Sequence, residues 1–422
     1  MRFLTAVRRF ILSSALLLPA SLPADDLLLR VRAKVTESLA RLPNYTCLET
    51  IDRNRRGDPC PTCEINDRVR LEVAVIEGKE RFAWPGAGRF QDREVDEILK
   101  HGAVESGNFS GFLKDVFVSG IAAYKLSGEE TVAGRPAVRH DYRVPLRETG
   151  YRIRSGGMEA NVEYHGSFWT DPVTLDLIRV EVHCDDIPPR LDMASASTAV
   201  DYSRLRIGAE DFLLPRSVEL IITTPLGVVD RNTTRFTECR QFQGASTIFF
   251  DEHPAMAAHP MDRTRLVALP PELTIEAELA QAIGMAHAAI GDPIQAVVRK
   301  PVRRKDEVLV PKGAVLEGRI TRTEIHSSGS AGYLRGLTFP AYTVVALEFS
   351  TFRFGDAVGN LRASLLDYYG AYRGSDGRLV QVSGRDPAIT DFGENGLLFF
   401  RTRLLEIPKG LGLRLRTLVS AP

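Results

Sequence analysis

From residue 26 to residue 42, apolar side chains recur every three or four positions at Leu28, Val31, Val35, Leu39 and Leu42, which predicts an amphipathic helix with one buried face. Pro43-Asn44 ends it. Beyond that point the period shortens. Residues 45–51, 68–76 and 80–84 are short runs rich in β-branched and aromatic side chains, broken by Gly, Pro, Asp and Asn, and they predict strands. Residues 96–118, with Ile98, Leu99, Phe109, Phe112, Leu113 and Phe117, predict a helical or mixed segment lying across a sheet. Strands resume at 122–126, 137–144, 151–153, 159–169 and 175–184, and continue through 198–207, 212–223 and 233–242. An Asp171-Pro172 turn, residues 208–211 and residues 225–227 supply the tips of this meander. Residues 185–196 contain Pro188-Pro189 and predict a loop, because proline cannot donate to a ladder.

A polar, small-residue stretch then separates two modules and predicts a linker over residues 251–268. After it come a short helix-like stretch and further strand runs, with Pro-Lys-Gly twice, at residues 311–313 and 408–410. Proline pre-sets each turn and glycine accepts positive φ, so the lysine stands at the tip. The predicted fold class is mainly β with a few helices: residues 25–250 form an N-terminal helix plus a curved antiparallel half-barrel, and residues 269–422 form a second, small β-barrel-like domain.

Composition narrows the class. The 422 residues are 44% apolar and 26% charged, which excludes disorder, collagen and a polytopic membrane protein. Lys plus Arg equals Asp plus Glu, so the field that draws a chain onto nucleic acid is missing. The charge is unevenly placed, with residues 25–270 at −6 and residues 271–422 at +3. Residues 1–24 read as an export signal: Arg2, Arg8 and Arg9, an apolar run at 10–18, then small residues up to a cleavage point after Ala24. An uncleaved anchor is the alternative. No other apolar run approaches the ~20 residues of a bilayer span, so a soluble periplasmic or secreted protein is expected.

In an oxidising compartment, cysteines favour disulfides. Cys60-Pro61-Thr62-Cys63 sits in a predicted polar loop between two strands and reads first as a structural clip, with a redox pair and a metal half-site as alternatives. Cys184 and Cys239, both near strand ends in the later meander, are the other disulfide candidates, and one of the five thiols must remain.

Two resemblances follow. The leading helix, the meander with residues 166–171 feeding Ile178-Arg179-Val180, and Phe212-Leu213-Leu214-Pro215 with its closing strand are similar to the LolA-type periplasmic lipoprotein-carrier fold over about residues 26–250. That resemblance implies a curved, incomplete barrel around helices, with an apolar groove able to hold acyl chains. Residues 269–418, with their two Pro-Lys-Gly hairpins, resemble the TrbI-like β-barrel domain of conjugation and type IV secretion scaffolds. This implies a small barrel that docks onto other proteins.

Catalytic signatures are missing from the sequence: there is no G-x-S-x-G, S-x-x-K or H-E-x-x-H. His183 beside Cys184, Asp185 and Asp186 suggests a metal corner only until strand alternation is considered, since neighbours face opposite sides. Carboxylate pairs such as Glu210-Asp211 fit solvated turns, and the basic run at residues 299–305 fits a solvated hairpin tip or a contact with an anionic surface. No cofactor, metal or catalytic residue is expected. Phe82, Trp84, Phe168 and Trp169 are the candidates to line an apolar groove, with core packing as the alternative. The expected function is a non-enzymatic, exported binding protein that holds an apolar or lipid-like ligand and docks to an envelope protein partner. A structural or interaction protein is the alternative.

Overall fold

In the computed structural model, residues 24–87, 89–91, 95–99, 113–155, 157–242, 267–330, 338–355, 357–374, 379–383 and 396–418 are described. The expected export signal lies outside them apart from Ala24, and so do residues 251–266 of the expected linker and residues 100–112 of the expected helical segment.

Helix α1 (Ala24–Arg41) leads into β1 (Tyr45–Arg56), β2 (Glu64–Ile76) and β3 (Lys79–Ala83), followed by a single helical turn, α2 (Val95–Ile98). A π-turn at Lys114–Val118 precedes β4 (Ala123–Val132) and β5 (Arg135–Val144). Then come β6 (Tyr164–Thr170), β7 (Leu177–Cys184), β8 (Ser195–Ile207), β9 (Glu210–Thr223) and β10 (Val229–Gln241). Antiparallel pairing runs β4-β5-β6-β7-β8-β9-β10-β1-β2-β3, so the last long strand returns to the first. The result is a curved, open half-barrel.

Strand alternation sorts its side chains cleanly. Directly paired residues share a face, so Leu126, His140, Phe168, Val180, Val200, Val218, Thr234, Ile51 and Val69 form one row across nine strands. This face is covered by α1 and the π-turn: Val31, Val35, Val116 and Phe117 join Phe168, Val180 and Val200 in one buried cluster. The opposite face carries ion pairs: Arg139 with Asp141 at 2.8 Å, Arg179 with Asp201 at 2.8 Å, Arg231 with Glu219 at 3.2 Å and Arg235 with Asp52 at 2.8 Å.

The second lobe contains β11 (Thr274–Leu279), β12 (Pro293–Val298), β13 (Val315–His326), β14 (Tyr342–Phe354), β15 (Ala357–Gly374) and β16 (Gly412–Thr417). Each pairs antiparallel with the next, and β16 pairs with β11, closing a six-stranded barrel. Its interior is filled by its own side chains, among them Ile275, Leu316, Phe349 and Leu415, all fully buried.

Four findings depart from the sequence reading. The stretch expected to be helix-like after the linker is strand and turn, with Ile283 and Gly284 pairing to Ile407 and Glu406. The polar segment 52–67 is mostly strand, because Arg53 pairs with Asp67 and Asn54 with Asn66 across the β1–β2 ladder, leaving a tip of only residues 57–63. Ser195 and Ala196, expected in a loop, begin β8 and pair with the end of β9. Cys239 bonds to Cys47 rather than Cys184. The sheet order explains this: β8 and β9 lie between the strand of Cys184 and β10, whereas β1 is the direct neighbour of β10. Cys184, left out of both disulfides, is buried opposite Ala196 on the covered face. Cys60 and Cys63 form the second disulfide.

The lobes join through β2. One edge pairs with β1, and the other is divided among three partners: β3 at residues 72–76, Ile290 at Val69, and β13 at Ile65 and Asn66. Arg70 N donates to Ile290 O at 2.9 Å and Ile290 N to Arg68 O at 2.7 Å. Gly291 (φ +101°) sits so close that a Cβ there would lie 2.5 Å from Arg70 O and 2.7 Å from the Trp84 ring. At the hairpin tip, a Cβ on Gly329 would lie 2.6 Å from both Sγ atoms of the Cys60–Cys63 disulfide.

Beside this seam, Glu324 accepts from Arg322 at 2.6 Å and pairs with His326 at 2.8 Å. Burial pushes the Glu324 carboxyl up, but the hydrogen bonds and charges of His326 and Arg322 outweigh it and bring it down to about 2. A depressed folded-state value contributes stability that is fully present above the ordinary glutamate value, about 4.3, and is lost as pH falls toward 2. The expected contribution is about 3 kcal/mol. Urea denaturation should therefore show Glu324→Gln less stable than wild type at about pH 7, with the gap roughly halved at about pH 3 and nearly closed at about pH 2; a gap independent of pH would contradict this origin.

Candidate functional site

On the covered face, α1 is fixed by Arg32, whose Nε donates to Phe117 O at 3.0 Å and whose guanidinium lies 5.7 Å from the Tyr124 ring centre. The π-turn is tied down by Asp115, which accepts from Tyr164 Oη at 3.3 Å. Beneath them is an aromatic group: Phe117 meets Phe168 edge-on at 4.8 Å, and His140 stacks on Phe168 at 5.0 Å and 8°. The helix is lightly seated. Val31 and Val35 are buried, Leu27, Leu28 and Leu39 only partly so, and Leu29 is 62% exposed.

Among the buried polar side chains on this face are His140 and Thr170. His140 is 1% exposed with neither ring nitrogen hydrogen-bonded, and the buried Thr170 hydroxyl also has no partner. Burial holds the His140 imidazole below its ordinary range, against the opposing charge of Asp141. It is therefore neutral at physiological pH, able to donate one hydrogen bond and accept another.

The four groove candidates separate. Phe168 and Phe82 lie on the covered face, in different clusters. Trp169 is on the opposite face, because consecutive strand residues alternate; its Nε1 donates to Glu130 at 3.0 Å and Arg139 lies 5.4 Å from its ring centre. Trp84 stands at the lobe seam, packed against Gly291 with the Arg319 guanidinium 5.5 Å from its ring centre. Alternation also sorts the expected metal corner: His183 pairs with His165 on the outer face, His165 bonds Asp185 at 2.9 Å, and Cys184 points to the covered side. Among the described residues, no group of three or more His, Cys, Asp or Glu side chains is placed to hold a metal.

A second concavity was not visible in the sequence. Between the outer ends of β1, β2 and β10 and the second lobe is a crevice of about 350 Å³. Asp52, Arg68 and Arg231 line one side, and Met285, Ile325 and Arg403 the other. At its floor Arg53, 8% exposed, binds Asp67 through Nε and Nη2, both at 2.6 Å. Burial raises the Asp67 carboxyl despite this partner. Nothing but the alternation of charge along β1 and β2 signals this site, since its residues come from segments more than 300 positions apart.

No family model matches the chain, and no curated protein does. Among solved structures it is similar to a DUF1329 family protein from Desulfovibrio piger ATCC 29098, with TM-score 0.30, 10% identity and coverage of 52% of this chain and 94% of that one. A LolA superfamily protein from Nitrosomonas europaea matches with TM-score 0.27 and 9% identity over 55% of this chain and 99% of that one. The Pseudomonas aeruginosa MucA/MucB complex structure matches with TM-score 0.19 and 13% identity over 91% and 99%.

Two substitutions separate satisfied from unsatisfied buried polar groups. Arg53→Met leaves the Asp67 carboxylate buried without its partner and is expected to lower stability by about 3–5 kcal/mol, read from the denaturant midpoint. Thr170→Val removes a hydroxyl that has no partner and keeps the shape, so the midpoint is expected to rise, by about 1 kcal/mol.

Proposed function

We propose that this chain is an exported, non-enzymatic binding protein of the cell envelope that holds an apolar, lipid-like ligand against the covered face of its half-barrel and docks to an envelope protein through its barrel lobe. The observation that carries the reading is a largely apolar face, covered by α1 and the π-turn, that also holds two buried side chains without a hydrogen bond, His140 and Thr170. Ligand sites typically combine mostly apolar walls with a few placed polar groups that fix orientation. A ligand entering under α1 would slide its chain along Val180 and Val200 and present a polar end to His140. Two disulfides fit an oxidising compartment. The barrel lobe has a filled interior, so its contribution to binding is made through its surface.

The alternative, a structural or interaction protein without a ligand, is favoured by one observation: Phe168, Tyr164 and Leu191 are already fully buried by the protein's own side chains. Native mass spectrometry of the full chain purified from cell-envelope extract distinguishes the two. The expected result is a reproducible lipid-mass adduct, reduced about tenfold in His140→Phe and unchanged in Trp169→Ala, which alters the other face. A chain that is always empty, or adducts insensitive to His140→Phe, would leave the structural role.

A further inference from the structure

The crevice between the lobes has a charge balance that its own ion pairs do not close. Four arginines line it, Arg53, Arg68, Arg231 and Arg403, against two aspartates, Asp52 and Asp67. Both aspartates are already engaged. Asp67 holds Arg53 in a two-point contact, and Asp52 accepts from Arg68 and also from Arg235 at 2.8 Å. Arg68 is further committed to the second lobe, donating to Ala286 O at 2.7 Å. Two guanidiniums remain that neither aspartate of the crevice engages: Arg231 pairs outside it with the Glu219 carboxylate at 3.2 Å on the sheet surface, and Arg403 has no carboxylate partner among the described residues.

We propose that this crevice binds a small organic oxyanion, a carboxylate or a phosphate monoester, whose charged end lies between Arg231 and Arg403 and whose apolar body rests on Met285 and Ile325. The planar guanidinium matches the paired oxygens of either group, and Arg recognises both for the same geometric reason. The volume, about 350 Å³, suits a compact ligand rather than an acyl chain. This site is distinct from the covered face of the half-barrel and does not depend on a lipid binding there. Arg231 belongs to β10 of the first lobe and Arg403 follows Leu397–Phe400 in the second, so a ligand held by both ties the lobes together. Binding should therefore stabilise the whole chain against denaturation as well as register as heat.

The test is isothermal titration of the full chain with phenyl phosphate and with benzoate, taking benzyl alcohol as the uncharged probe, together with thermal denaturation in each. At least one anion is expected to bind and to raise the melting temperature, and which of the two binds more tightly identifies the head group. Arg231→Gln and Arg403→Gln should each weaken that anion about tenfold. Arg216→Gln, an exposed change elsewhere on the sheet, should leave it unchanged. Because Arg403 is exposed, its variant is expected to melt like wild type without ligand, which separates lost binding from lost folding. Failure of both anions to bind, equal binding of benzyl alcohol, or wild-type affinity in both arginine variants would each overturn the proposal.

Discussion

One strand edge organises this molecule. The outer edge of β2 is shared by β3, by Ile290 and by β13, so the two lobes are stitched together by backbone hydrogen bonds as well as by side-chain contact. Buried backbone donors and acceptors must be paired, and separating the lobes would strip partners from residues 64–70 all at once. The side chains on that edge reinforce the same junction. Arg68 reaches Ala286 O, Arg70 reaches Asp292 and His287 O, and Trp84 packs on Gly291. The hairpin tip adds a further contact, because Ser330 N donates to Thr62 Oγ1 at 3.0 Å beside the Cys60–Cys63 disulfide. That disulfide closes a short loop, and its placement against Gly329 makes it part of the seam as well as a local clip.

The division of labour between the sheet's two faces follows from the period of two. Once β1 through β10 are paired in register, every second residue is committed to the helix-covered side, and the remainder must live in water or against the second lobe. Most of the apolar set went to the covered side and most of the charged set to the other, with Arg-carboxylate pairs crossing between strands there and the Arg53–Asp67 pair as a charged exception on the covered side. Exposed pairs of that kind add little stability. Their value lies in register, because a one-residue slip would bury the charges. The barrel lobe uses the same alternation differently: closure removes both edges and directs one set of side chains into the interior, where the described ones pack against each other.

Much of this was legible along the chain. The leading helix, the meander and the Cys60–Cys63 pair all follow from local spacing. What failed was whatever depends on partners distant in sequence. Segment 52–67 looked like a loop because its residues are polar; only its pairing of Arg53 with Asp67 and Arg55 with Asp230 gives those side chains a reason to sit in strands. The Cys47–Cys239 bond spans 192 positions and becomes evident only when β10 is seen to return to β1. Trp169 could have been separated from Phe168 by alternation alone, whereas the position of Trp84 required the second lobe.

The covered face and the crevice meet at Arg53 and Asp67. By register these side chains share a face with Ile51 and Val69, yet they also form the floor of the space between the lobes. A buried ion pair in that position is sensitive to both sides, because desolvation from one side and added charge from the other act on the same carboxylate. Burial already raises Asp67, so the pair depends on Arg53 keeping its two-point geometry. An anion placed near Arg231 and Arg403 would add negative charge close to Asp67 and strengthen the demand on Arg53. The seam thus gives the half-barrel and the barrel one shared electrostatic element, the Arg53–Asp67 pair.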